Sequence, residues 1–334
     1  MGLRIQRDSC HILTVLLHGN RGRRACCMIV YWELSSLSTD LGFSPKALYS
    51  VSNSIGRHYR LVQIPKGNGE LRRLTVPDRF LKAIQVQIYE KLLRLEPVSP
   101  HAAAYRPGGS TLVNARPHVG QAVLLKLDIR HFFDSLIYPQ VKDAAFPVER
   151  YSEANRILLA ILCTYRGILP QGAPTSPAIS NIILRNFDDT MGEWCGRQGV
   201  RYTRYCDDMT FSGDFDPAAV IEKTAAELKN MGLYLNAGKT VVARKGQKMI
   251  VTGIVVNEKT SIPRDYKRKL RQELHYCTEY GLASHLAHTH SQMEQRDYVL
   301  SLLGRVNYAL SVEPANAELG QYRVWLTEAM KQIS

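Results

Sequence analysis

The chain has 334 residues, 45% hydrophobic and 22% charged, enough to bury a large core; it has no apolar run of the ~18 residues a membrane helix needs. With 43 Lys and Arg against 30 Asp and Glu, a net charge of +13 points to a polyanionic partner, nucleic acid before a membrane surface. Seven cysteines with no Cys-x-x-Cys pair argue against a disulfide framework or a zinc finger and fit a reducing, cytoplasmic setting.

Residues 1–27 hold Arg4, Arg7, Arg21, Arg23 and Arg24 and a short apolar run, Ile12 to Leu17. The run is too short for a signal peptide and lacks a small-residue cleavage site, so residues 1–40 read as a non-exported extension, with Met28 as an alternative start. Helical pattern begins after Leu34, and Ser44-Pro45 reads as a cap and first-turn pair opening a helix through Ser50. Arg60 to Ile64 alternates, Lys66 to Gly69 is a turn, and Leu71 to Val76 is a second strand, giving a hairpin over 60–76. Phe80, Ile84, Ile88, Leu92 and Leu95 at helical spacing predict a helix over 78–95. Residues 97–120, rich in Gly, Pro, His and Ser, read as mostly loop, and Val123 to Ile129 as a central strand ending at Asp128.

A helix is expected over 153–165, a proline-punctuated loop over Leu169 to Pro177, and a long helix from Pro177 to Cys195. Tyr202 to Tyr205 and Met209 to Ser212 are short strands around Cys206-Asp207-Asp208. Asp216, Pro217 and Gly232 supply the cap, first-turn proline and stop of a further helix. Strands are expected near 240–244 and 249–256, and past residue 263 the pattern is helical and basic. Strands and helices mix without regular alternation, which predicts an α+β fold rather than a doubly wound sheet.

Asp128 ends one apolar strand, and Asp207 and Asp208 sit between two others. Adjacent carboxylates repel and are costly to bury. Cations that neutralise them would make a centre for in-line phosphoryl transfer; a solvated Asp-Asp turn is the plainer alternative.

Four segments carry a family resemblance. Leu127-Asp128-Ile129-Arg130-His131-Phe132-Phe133-Asp134-Ser135 resembles the first palm motif of reverse transcriptases, and Leu169-Pro170-Gln171-Gly172-Ala173-Pro174-Thr175-Ser176-Pro177 the second. Tyr205-Cys206-Asp207-Asp208 resembles the third, with Cys where Ala or Met is more usual; Gly232-Leu233, Asn236 and Lys239 resemble the fourth. Asn114-Ala115-Arg116-Pro117-His118 and Val251-Thr252-Gly253 are similar to the NAxxH and VTG elements of bacterial retron reverse transcriptases. The match runs from about Ile64 to Val256. Group II intron enzymes resemble it too, but usually carry more chain after the thumb.

The resemblance implies a right-hand polymerase: fingers at 41–120, a palm at 121–255 with a fingers-contributing insertion near 140–175, and a short helical thumb at 256–334. It implies Asp128, Asp207 and Asp208 as ligands of two Mg²⁺ ions, with Mn²⁺ as a substitute, and Lys239 as a proton or charge donor to leaving pyrophosphate. It places Lys66, Arg72, Ile129, Phe133, Gln171 and Gly172 around the incoming dNTP, with Arg73 able to share the phosphates. Phe133 matches the steric gate against a 2′-hydroxyl; an ordinary core Phe is the alternative. Asn114, His118, Val251, Thr252 and Gly253 would contact RNA, as would the basic run Arg264, Lys267, Arg268, Lys269 and Arg271, unless that run is simply a solvated face. His275, His285, His288 and His290 lack matching cysteines and are not expected to bind metal.

The resemblance further implies a dedicated noncoding RNA as template and primer and an RNA-linked single-stranded DNA product. It also implies an effector-protein partner in bacterial antiphage defence. Two alternatives stand beside it: a group II-like or other defence-associated reverse transcriptase, and a catalytically idle RNA-binding scaffold on a polymerase fold.

Overall fold

The computed structural model describes residues 5–7, 12–17, 24–65, 69, 71–289 and 293–333. The expected extension is represented by three antiparallel strands, β1 (Ile5–Arg7), β2 (Ile12–Leu17) and β3 (Arg24–Ile29). The side chains of residues 1–28, the Met28 start among them, lie outside the described residues. The extension does not run to residue 40 as a separate piece. Tyr31, Leu37 and Leu41 pack into the main core, and Tyr31 N–H donates to the Arg150 carbonyl at 2.7 Å.

Two helices follow, α1 (Leu34–Leu41) and α2 (Pro45–Asn53). As expected, Ser44 caps α2: its hydroxyl accepts from Ala47 N–H, while Pro45 takes the position where no amide is needed. The hairpin β4 (Tyr59–Pro65) and β5 (Leu71–Pro77) pairs Ile64 with Arg72. Helix α3 (Arg79–Ile88) is capped by Asp78 and runs into a π-helical turn, Tyr89–Leu93. Residues 97–120, expected as mostly loop, contain α4 (Thr111–Ala115) and a 3₁₀ turn over Arg116–His118. Ser110 accepts from Val113 N–H and starts this helix where glycines and prolines had masked it.

The central sheet is antiparallel with strand order β7-β8-β6-β9, formed by β6 (Val123–Asp128), β7 (Arg201–Tyr205), β8 (Asp208–Gly213) and β9 (Val241–Arg244). Helices α5 (Tyr138–Ala145), α6 (Glu153–Cys163), α7 (Ser176–Arg197) and α8 (Pro217–Asn230) share the main core with it. Asp216 caps α8 as expected, its carboxylate accepting from Ala218 N–H. The apolar run 249–256 is not one strand. It folds into a two-stranded ribbon, β10 (Ile250–Val251) and β11 (Ile254–Val255), because Thr252 and Gly253 turn the chain with φ of 45° and 82°.

Four helices end the chain: α9 (Arg264–Tyr280), α10 (Leu282–His288), α11 (Gln295–Val312) and α12 (Ala317–Ile333). They build a second core that reaches the sheet through Leu124 and Ala243, and α4 through Ala115. No described helix is long and apolar enough to cross a membrane.

Candidate active site

A cleft of about 790 Å³ opens over the edge of the sheet, where β6 and the β7–β8 turn end together. Asp128 and Asp207 line it with Arg72, Arg73, Ile129, Phe133, Gln171 and Lys239. Asp208 is not among the lining residues. It faces Asp128 directly in the β6–β8 register, with Lys126 two residues away on the same face. Asp128 is 4% exposed: one oxygen accepts from Lys239 Nζ at 2.8 Å, the other from Asn236 Nδ2 at 3.2 Å. The Asp207 carboxyl is raised above the usual carboxylate range by burial, and Asp208 and Asp128 push it further. Asp208 is also raised by burial, with Lys126 opposing the shift and Asp128 adding to it. Lys239 is raised by its hydrogen bond to Asp128. Hence the sheet edge concentrates negative charge that the protein only partly compensates.

The backbone around the cleft is strained. Tyr105, His131 and Cys206, three non-glycine residues lining it, have φ of 57°, 49° and 59°. Such conformations persist only where the surroundings over-determine them. Beneath Cys206 lies Arg204, fully buried, whose Nη1 donates to the Cys206 carbonyl at 2.8 Å. The same guanidinium grips both oxygens of buried Asp188 on α7, at 2.9 and 2.6 Å, and donates to Asn181 at 3.1 Å. Asn181 in turn donates to the Ala104 carbonyl at 2.8 Å, next to strained Tyr105. One buried polar network thus holds two of the strained residues. The third-motif segment signalled the acids but not this support. Its one trace was Asn181 and Asp188, polar residues seven apart on the buried face of α7, beside Leu184 and Met191.

From the hairpin side, Arg72 Nε donates to Gln171 Oε1 at 3.2 Å, and Thr75 N–H to the Gln171 carbonyl at 2.9 Å. Gly172 has φ of 121°, and a Cβ there would lie 3.0 Å from the Thr75 carbonyl oxygen, so the close approach of hairpin to loop requires glycine. Phe133, 9% exposed, starts a 3₁₀ turn and packs on Phe132 with centroids 5.1 Å apart. It is part of the core and of the cleft wall together. Lys66 lies outside the described residues. The motifs missed Tyr105, which also lines the cleft; Asn236 stands in the fourth motif but was given no role there.

The expected RNA-contacting residues require correction. His118 is fully buried, its ring bonded to Ser212 Oγ at 2.7 Å and Thr203 Oγ1 at 2.8 Å; burial pulls its pKa down to about 3. Asn114 and Val251 are also fully buried. Asn114 Nδ2 reaches Thr252 Oγ1 at 3.5 Å, and Thr252 Oγ1 donates to the Thr111 carbonyl at 3.0 Å. The two elements therefore form a joint that ties α4 to the β10–β11 ribbon, with Asn114, His118 and Val251 inside it and Arg116, Thr252 and Gly253 reaching the surface. Of the basic run, Lys267 binds Glu313 at 2.7 Å and Arg271 binds Glu318, so both tie α9 to the helices behind it. Arg264, Arg268 and Lys269 stay exposed.

The sequence profile of the reverse transcriptase (RNA-dependent DNA polymerase) family matches residues 64–256, more than half of the chain. Among curated relatives, the retron Mx65 reverse transcriptase of Myxococcus xanthus is 36% identical over 70% of this chain and 59% of its own. The retron Ec86 reverse transcriptase of Escherichia coli is 32% identical over 69% of this chain and 73% of its own. The chain thus spans somewhat under two thirds of the first of these relatives. Among solved structures, a Candida albicans telomerase in complex with a fragment of telomeric RNA aligns over 86% of this chain and 65% of its own, at 9% identity and a TM-score of 0.43. The carboxylates at the sheet edge, the four motifs around them and the family match agree: this chain belongs to the reverse transcriptases, the RNA-dependent DNA polymerases, and among them to the retron enzymes.

Proposed function

We propose that this chain reverse transcribes a dedicated structured noncoding RNA into RNA-linked single-stranded DNA, priming from that RNA, in the bacterial cytoplasm. The observation that carries the reading is one cleft in which Asp128 and Asp207 meet Arg72, Phe133, Gln171 and Lys239. In the reaction the growing 3′-hydroxyl attacks the α-phosphate of a dNTP, the P–O bond to pyrophosphate breaks, and pyrophosphate leaves. Arg72 and Arg73 bind the triphosphate, and a planar guanidinium suits phosphate oxygens. Lys239, its side chain 60% exposed, can exchange Asp128 for the departing pyrophosphate. Phe133 closes the wall where a ribose 2′-hydroxyl would collide. Residues 41–120 act as fingers, 121–255 as palm and 256–334 as thumb.

Hard carboxylate oxygens suit Mg²⁺ or Mn²⁺. Among the described residues no three acids, histidines or cysteines converge into a ready-made metal centre. The raised pKa values of Asp207 and Asp208 are what a cation between protein and triphosphate would relieve. When bound, two such ions would neutralise the phosphates and activate the attacking oxygen; Asp128, Asp207 and Asp208 would hold them.

Retron membership supports the RNA and product assignments, and with them an effector-protein partner in antiphage defence. The test is to purify the chain with its bound nucleic acid and sequence it before and after debranching. RNA joined to DNA through a 2′-linkage is expected. Free RNA alone, from protein that extends oligo(dT) on poly(rA), would leave a reverse transcriptase of another type.

A further inference from the structure

The histidines of the C-terminal helices have no place in the reaction above. His285 is buried, with its ring between Tyr276 (centroids 6.2 Å apart, 21° between planes) and Tyr298 (5.8 Å, 36°). Tyr280 continues the row, 6.1 Å from Tyr276. His290 lies outside the described residues. This is a stack of rings, and it stands in the wall of two adjoining cavities of about 460 and 600 Å³ between α9 and α10.

Three properties of this cleft identify its occupant. First, Tyr276 and Tyr280 are 40% and 67% exposed, so the row that begins at buried His285 ends in ring surface open to a ligand. A base is flat and has a π-face on either side. Second, the remaining wall is polar: Gln272, Ser284 and His288 offer an amide, a hydroxyl and an imidazole to the edge of a stacked ring. Third, the charge is complementary to a phosphate chain. Lys269 lines the second cavity, seven residues before Tyr276 on the same face of α9, and Arg264 and Arg268 lie exposed further up the helix. The acid in this wall, Glu273, is taken up by Arg305 and by the Tyr298 hydroxyl, which donates to it at 2.6 Å.

Building on the assignment of RNA as the substrate, we propose that this cleft receives an unpaired base of the bound RNA, stacked on Tyr276 and Tyr280 with its phosphate toward Lys269. Paired regions would lie along the exposed arginines of α9, which bind backbone without reading sequence. The cleft would add a requirement that one nucleotide be splayed out of the helix, the form in which proteins read structured RNA. The site is remote in sequence from the carboxylates and uses none of them.

The experiment compares two RNA hairpins of equal charge, one with a single bulged adenosine and one with an abasic ribose at that position. Fluorescence anisotropy with the full chain should show the adenosine hairpin bound about ten-fold tighter, the usual scale for one stacked base. Tyr276→Ala with Tyr280→Ala should bind both hairpins alike, while Tyr276→Phe should keep the preference. Should the double variant fail to fold by circular dichroism, the exposed Tyr280→Ala alone should lower the preference at least about three-fold. Equal binding of the two hairpins by the wild type, or a preference that survives in the folded variants, would overturn the proposal; the first outcome would leave the cleft to a peptide. Oligo(dT) extension on poly(rA) by the wild type, measured alongside, separates failure of this inference from failure of the polymerase reading.

Discussion

At Asp207 the fold holds a carboxylate that burial and two neighbouring acids push above its ordinary pKa. A carboxyl raised in the folded state binds its proton more tightly there than when unfolded. Below the ordinary carboxylate range both states are protonated and nothing is lost; above it the charged form costs stability. Asp207→Asn should therefore raise the melting temperature of the metal-free protein at pH 7 to 8, with the gain vanishing as pH falls toward about 4. The same change should lower primer extension by about 10²-fold or more, because the residue would no longer hold cation and phosphate. A lower melting temperature at pH 7, or extension within about threefold of wild type, would contradict this role. Phe133 makes a second residue-level case, since its ring belongs to both core and cleft wall. Phe133→Ala should cut the preference for dNTP over rNTP, read from competitive incorporation, through loss of a clash rather than a new contact. It should also cost roughly 3–5 kcal/mol of stability from the cavity left behind, measured by urea unfolding. An unchanged nucleotide preference in folded protein would place the gate elsewhere.

Elements are held in place by contacts that cross long stretches of chain. The turn between β7 and β8 that carries the candidate acids rests on the Arg204–Asp188 pair, both side chains fully buried. Removing one partner leaves the other charged and uncompensated. Arg204→Met should therefore cost about 3–5 kcal/mol, and Arg204→Met with Asp188→Leu should recover much of it. Extension by the double variant should nonetheless stay well below wild type, because no donor then holds the strained Cys206 carbonyl. Urea unfolding and extension rates, measured on all three proteins, check this; a double variant restored in both would reduce the pair to packing. The hairpin β4–β5 is placed likewise: its two bonds to Gln171 and the lack of a Cβ at Gly172 bring Arg72 over the cleft. The Asn114–Thr252 joint does the same for the C-terminal helices, so the two elements typical of retron enzymes act here through architecture.

Across the whole molecule, the net charge of +13 sets a field, but ion pairs decide which cations remain to meet a phosphate. Lys267 and Arg271 are tied to Glu313 and Glu318 on other elements, whereas Arg264 and Lys269 stay exposed and the exposed Arg268 pairs only with Asp265, one turn away on its own helix. Changing those three to Gln should weaken RNA binding and flatten its log–log salt dependence by up to about 2, since each phosphate of a single strand that a cation neutralises adds ~0.7 to the slope. Lys267→Gln should instead lower thermal stability and leave the salt slope nearly unchanged. Equal slopes for the triple variant and wild type would take α9 out of the binding surface. The sequence by itself determined whatever is local. The 60–76 hairpin followed from alternation and a Gly-rich turn, the starts of α2 and α8 from Ser44 and Asp216 caps, and the candidate acids from their place at the ends of apolar strands. It misread 249–256 as one strand, because an apolar run gives no sign of a turn until Thr252 and Gly253 adopt positive φ. Only the tertiary structure decided that His118 is a buried strut, that Arg204, held by Asp188, supports the Cys206 carbonyl, and that Tyr276 and His285 share a cleft. Each depends on a partner brought close by folding, and a partner distant in sequence leaves no period, cap or turn residue to read.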